Sequence, residues 1–295
     1  MEIDQIKKTI DESSNNVEID TYQILASTEW NEIIENSYFT DPVEKKLRET
    51  DILAINNFYP SFKKTNTNRT IFLIECKYIK DKIVFWFKDK KMEKAKALAR
   101  QNYVFSMSPV EQCPLGRSAN GLISHHYIEN NKVAKKWDYV KWDYDKNKSK
   151  ECHDVMGTAI NQLTNALYFY RKYKYQDKSI IFPILIINNY KNVYKVEENG
   201  SYLNINKHFQ LEVERSMKID NQGVEHFYQL IDVISVEELK IFIDYFSKTT
   251  LKMIHDKIIL DYDTEQWKNN SKKDSPCAWR QFIDIKEITI KNSAI

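Results

Sequence analysis

The stretch "IFLIECKYIKDK", Ile71 to Lys82, decides how the rest of the chain is read. Its first residues suit a strand buried in a sheet, yet the run closes on Glu75, Cys76 and Lys77. Side chains alternate faces along a strand, so Glu75 and Lys77 point the same way. Either both face water or both serve one task. Acidic-x-Lys alone carries little weight, because Glu44-x-Lys46, Asp89-x-Lys91, Glu238-x-Lys240 and Asp284-x-Lys286 also fit it. Context separates Glu75–Lys77 from these. It ends an apolar strand, and the strand expected before it carries Asp51.

Outward from that stretch, "EIIENSYF" (32–39) reads as a strand, "TDPVEKK" as turn chemistry, and "LRETDILAI" (47–55) as a second strand by its alternation. A polar connector with Pro and Asn then leads to the third strand, and the simplest pairing is a β-hairpin. Upstream, 1–16 is polar and charged, a helix or a loose lead-in, and "VEIDTYQILASTE" (17–29) spaces Val17, Tyr22, Leu25 and Ala26 near a helical period. Downstream, "KIVFWF" (82–87) is a strand and "MEKAKALARQ" (92–101) a helix, and short strands and loops are expected over 103–150. Residues 151–175 form the clearest helix, with Ala159, Leu163, Ala166, Leu167 and Tyr170 in one apolar stripe. "SIIFPILIINN" (179–189) is a continuous apolar run, as in a strand covered on both faces. Strands near 193–197, 207–214 and 225–233 follow, then a helix over 235–258 opened by a capping box of Ser235 and Glu238. The order helix, three strands, insertion, helix, strand suggests an α/β sheet covered on both faces.

Composition narrows the function classes. With 5 glycines in 295 residues, no GxGxxG or GxxxxGK[ST] phosphate loop is present. A net charge of +2 neither demands nor excludes nucleic acid. No apolar run is long enough to span a bilayer and no signal-peptide core opens the chain, so a cytoplasmic protein without a membrane role is expected. Cys76, Cys113, Cys152 and Cys277 make no CxxC or zinc spacing and read as reduced thiols.

In a hairpin the strands lie about 5 Å apart, which brings Asp51 and Glu75 within a few ångströms on one face. Carboxylates that close repel unless a cation joins them. Mg²⁺ typically takes one or two carboxylates plus substrate phosphate oxygens. A lysine beside them can orient water or stabilise negative charge, a combination suited to metal-assisted phosphodiester hydrolysis.

At these residues the chain resembles the PD-(D/E)xK nuclease superfamily, in particular its small bacterial members with a "YxDPxxxKxREIDI…IECKY" pattern. Here that reads "YFTDPVEKKLRETDILA" at 38–54 and "FLIECKY" at 72–78, with "AINQLTNALYFY" supplying a helical glutamine. The likeness covers the order of elements over about 17–190 and weakens toward 258. The insertion over 78–150, and Thr50 where Ile is usual, depart from it. The resemblance implies a restriction-endonuclease-like α/β core (αβββαβ, a mixed central sheet flanked by helices) with a C-terminal β/α extension. A single domain over 1–260 and a polar extension over 261–295 are expected.

The resemblance also implies roles. Asp51, Glu75 and the Cys76 carbonyl would bind Mg²⁺ (or Mn²⁺), and Lys77 would orient the attacking water. Glu18 would act through a water on the metal or at a second metal, and Gln162 would brace the site or touch substrate. Nucleic acid, DNA first, would be the partner of an endonuclease of the restriction or phage-defence kind; a nuclease fold kept for binding or assembly, and a Mg²⁺-dependent hydrolase of RNA or a small phosphodiester, are the rival readings. Cleavage would leave a 3′ hydroxyl and a 5′ phosphate. A homodimer or a targeting protein would suit double-strand cleavage.

Plainer readings stand beside these. Asp51 could be a strand-end charge, Glu75–Lys77 a surface ion pair, Glu18 a helix N-terminal acid with rivals in Asp20 and Glu29, and Gln162 a satisfied polar group. Glu49 shares the face of Asp51 and is expected to pair with a Lys or Arg, while Arg48 opposite is structural. His125-His126 cannot both address one metal from a strand, no acidic partner is evident for them, and His153 lacks the rest of a zinc set. "KKWDYVKWDYDKNKSK" (135–150) suits either nucleic-acid contact or an exposed β-edge kept soluble by Lys.

Overall fold

The computed structural model describes residues 2–30, 32–58, 68–104, 125–140, 142–143, 148–149, 153–174, 179–219 and 223–255. The sheet grows from the hairpin. Strands β1 (Glu32–Thr40), β2 (Leu47–Phe58) and β3 (Asn68–Lys77) pair antiparallel in sequence order. Before them stand helices α1 (Glu2–Asp11) and α2 (Ser14–Ala26), the second capped by Ser13 through its hydroxyl to the Asn16 amide. Val17, Thr21 and Leu25 are buried on α2, whereas Tyr22 and Ala26 are exposed, which corrects the expected stripe by about one helical position.

Strand β4 (Ile83–Asp89), helices α3 (Met92–Val104) and α4 (His126–Glu129), strand β5 (Lys132–Tyr139) and the small hairpin of β6 (Trp142–Asp143) and β7 (Lys148–Ser149) follow. Helix α5 (Val155–Phe169), capped by the Asp154 carboxylate on the Gly157 amide, ends in a π-helical turn at Tyr170–Lys174. Then come β8 (Ser179–Ile187), β9 (Val193–Val196), β10 (Tyr202–Asn204), β11 (Phe209–Ile219), β12 (Gly223–Ser235) and α6 (Val236–Phe246), which loosens into a second π turn at Ser247–Leu251. Ser235 stands at the N-cap of α6, but its side chain makes no cap bond, so the expected capping box does not form.

Among the described residues, ten strands make one mixed sheet in the order β1-β2-β3-β8-β12-β11-β5-β4-β9-β10. β8 runs parallel to β3 along its whole length and parallel to β12 at its far end, with every residue buried, as its unbroken apolar run requires. Period-two alternation sorts the core. Ile52, Ala54, Phe72, Ile74, Phe182 and Ile184 face α2, α3, α4 and α6, while Leu53, Ile55, Ile71, Leu73, Ile181 and Leu185 face α5.

Between β3 and α5, strands β4 and β5 extend the same sheet. In the sheet order β5 lies between β11 and β4, meeting β11 at Ala134–Leu211. Its Lys135 pairs with Glu212, and its Trp137 donates to Asp154 at 3.2 Å. Cys113, Cys152, Cys277 and the expected extension over 261–295 lie outside the described residues. Among the described residues, no helix is long and apolar enough to cross a membrane.

Candidate active site

The site opens where β2 leaves β3. Their ladder stops at Ile52–Ile74, whereas β2 continues to pair with β1 down to Leu47, and β3 continues beside β8 as far as Lys77. Parting strands leave backbone groups without ladder partners, and such groups must be satisfied when buried. Asp51 does this for β3, because its Oδ2 accepts the Cys76 N–H at 2.7 Å. Across β1, Asn36 adopts a positive φ of 53° and the Asn36–Asp51 pair drops out of the ladder, so the pleat is broken at Asp51 on both sides.

Glu75 and Lys77 alternate with Ile74 and Cys76, which face α2, so the pair shares the opposite face of β3. Glu75 is 1% exposed, and the Lys77 and Asp51 side chains are 16% and 18% exposed. Lys77 Nζ lies 2.5 Å from Glu75 Oε1, 3.0 Å from the Cys76 carbonyl oxygen and 3.6 Å from Asp51 Oδ2. Glu75 is buried and Lys77 only partly exposed, so this is not a freely solvated surface ion pair. β3 ends here because other groups take its backbone. Ser14 Oγ accepts the Tyr78 amide at 3.1 Å and Asn188 Oδ1 the Ile79 amide at 2.8 Å.

Helix α2 is pinned to the same strand end. Besides the Ser14 contact, the Cys76 thiol lies 3.7 Å from Thr21 Oγ1. Ser14, Glu18 and Thr21 fall on one helix face by their spacing, which directs Glu18 toward the strand ends. Burial raises the Glu18 carboxyl to about 7, helped by the charges of Asp51, Glu35 and Glu49 and opposed by Lys77. Burial likewise raises Glu75 to about 8, helped by Asp51 and opposed by Lys77. Lys77 itself is held above its usual value, because Glu75 and Asp51 outweigh its desolvation. The site carries more carboxylate than its one lysine neutralises.

From the other side, α5 braces β2. Gln162 Nε2 donates to the Glu49 carbonyl at 2.7 Å, two residues before Asp51. Asn165, one turn on, donates to Asp41 Oδ2 at 2.8 Å, while Asp41 Oδ1 accepts the Val43 and Glu44 amides. Arg48 pairs with Glu44 at 2.7 Å and with Asp41 at 3.4 Å, the structural place expected for it. Glu49 forms no ion pair among the described residues, contrary to expectation, and adds instead to the negative field on Glu18. Glu35 adds to it as well, and pairing β1 across β2 from the sequence would have placed it there.

Among the described residues, no group of three or more His, Cys, Asp or Glu side chains is placed to hold a metal ion. Two carboxylates and one carbonyl do converge, all hard oxygen donors of the kind Mg²⁺ accepts when water or phosphate completes its shell.

The histidines differ from expectation. They open α4 rather than lie in a strand, and His126 has an acidic partner in Asp232 at 3.0 Å. Thr250 Oγ1 accepts the His126 amide and lies 3.0 Å from Nδ1, while Nε2 faces Asp232 Oδ2 at 3.0 Å. Gln210 and Lys90, each 6% exposed, extend this chain within the core. His153 precedes the α5 N-cap, away from any metal group among the described residues.

No protein-family model, no curated protein and no solved structure matches this chain.

Proposed function

We propose that this protein is a metal-dependent nuclease hydrolysing phosphodiester bonds, with DNA as its substrate. The observation that carries the reading is the meeting of Asp51, Glu75, Lys77 and the Cys76 carbonyl where β2 and β3 part. The order of elements supports it. α2, the β1-β2-β3 meander, α5 and a β8 parallel to β3 come in the order this reading expects. The excess of carboxylate supports it too, because such a site binds a divalent cation readily.

In this reading Asp51, Glu75 and the Cys76 carbonyl hold Mg²⁺ or Mn²⁺. When bound, the ion supplies Lewis-acid stabilisation of phosphate charge and a more acidic water. Asp51 is fixed for this by the Cys76 amide and Glu75 by its place in the β3–β8 ladder. Lys77 orients the attacking water or meets charge developing on the phosphate. Glu18, turned by α2 toward the strand ends, would act through water beside the ion or at a second ion, and Gln162 keeps β2 at its distance.

Incubation of supercoiled plasmid and single-stranded DNA with Mg²⁺, Mn²⁺ or EDTA tests this. Metal-dependent nicking by the wild type, lost in EDTA and in Lys77→Ala, is the expected result. Absence of cleavage with every metal, together with absence of divalent-ion binding by calorimetry, would instead leave a nuclease-like fold kept for binding.

A further inference from the structure

We propose that Lys77 is the resident cation of the Asp51–Glu75 site, and that a divalent ion binds by expelling it, which releases the lysine toward substrate. The inference rests on the metal-dependent reading above and concerns how that site is loaded.

The Lys77 ammonium contacts the same three oxygens that would ligate a metal, at 2.5 Å from Glu75, 3.0 Å from the Cys76 carbonyl and 3.6 Å from Asp51. An Mg²⁺ ion on those oxygens would sit about 2.1 Å from each of them. Two cations cannot share one set of ligands at that separation, so one must leave. The carboxylates cannot be the ones to yield. Asp51 is tied at 2.7 Å to a backbone amide, and Glu75 is 1% exposed within a strand paired on to Lys77. The lysine can move, because its ammonium rides on a flexible four-carbon stem and its side chain already reaches solvent. Loading the ion and freeing the lysine are then one event, so Lys77 cannot act on water or phosphate before the site is filled.

Two readouts on the full chain test this without activity. Calorimetric titration with Mn²⁺ compares the wild type with Lys77→Met, which keeps the stem and removes the charge. The variant is expected to bind about tenfold tighter or more, since no resident cation competes. In the wild type, acetylation of Lys77 by acetic anhydride is read by mass spectrometry with and without Ca²⁺, with exposed Lys80 as internal reference. Lys77 acetylation is expected to rise about fivefold or more on loading while Lys80 stays constant.

A lysine that repelled the ion only from a distance would sharpen Mn²⁺ binding in the variant without changing its own reactivity. Unchanged acetylation therefore overturns the inference, as does equal Mn²⁺ affinity in the two proteins, and either result leaves the metal site standing. Failure of both proteins to bind Mn²⁺ removes the inference and the metal-dependent reading together.

Discussion

Asp41 shows how much a single carboxylate organises near the site without touching it. Burial pushes its carboxyl up, but the Glu44 amide, the Asn165 amide group, the Val43 amide and Arg48 together hold it below its ordinary value of 3.8. A carboxyl lowered on folding stabilises the protein above its unfolded value, and that stability is lost as pH falls through the folded one. Wild-type stability should therefore decline as pH drops below about 4. Asp41→Asn should be less stable at pH 7 and flatter through that window, as urea melts at several pH values would read. Gln162 acts on the site through the Glu49 carbonyl. Gln162→Ala should cost about 0.5–1.5 kcal/mol in urea melts. It should lower nicking by about tenfold or more, because β2 and Asp51 lose their brace. An unchanged cleavage rate would show that β2 keeps its place without the glutamine.

At the scale of elements, α5 joins the largest apolar stripe to the polar contacts that brace β2. Ala159, Leu163, Ala166 and Leu167 are buried against the sheet, while Gln162 and Asn165 reach β2 and the β1–β2 turn. Leu163 is 0% exposed. Leu163→Ala should cost about 2–5 kcal/mol, through lost burial and the cavity it leaves. Thermal denaturation with a loss under about 1 kcal/mol would mean that the helix repacks. The two π turns serve the same end. One carries Tyr170, whose hydroxyl bonds Ser37 of β1 at 2.9 Å, and the other carries Thr250, which holds His126.

Across the whole molecule, two apolar positions should respond in opposite ways. Phe72 is 0% exposed, stacks on Trp30 at 3.8 Å and meets Phe246 edge-on at 4.9 Å, joining the α2–β1 connection, β3 and α6. Phe72→Ala should cost about 3–5 kcal/mol. Ile3, Ile6 and Ile10 of α1 are 80%, 56% and 54% exposed, so they bury little within one chain. Ile6→Asp should change monomer stability by no more than about 0.5 kcal/mol. A larger loss in chemical denaturation, growing with protein concentration, would reveal that a second copy covers this face.

The sequence by itself determined the strand at 71–77, the hairpin before it, the buried strand at 179–187 and the acidic and basic groups at the strand ends. Each of these follows from local periodicity, turn chemistry or a short run of residue types. It also placed Asp51, Glu75 and Lys77 together, because a hairpin register links positions close in the chain. Tertiary structure decided the rest. Only the sheet order puts β5 in the interior instead of at an edge, since strand neighbours so far apart in sequence leave no local signal. The same holds for the acidic partner of His126, supplied from 106 residues away, and for Gln162, whose carbonyl partner lies 113 residues away. That Lys77 rests on three oxygens is a property of side-chain geometry where two strands separate, and no pattern of residue types encodes where a strand pair stops.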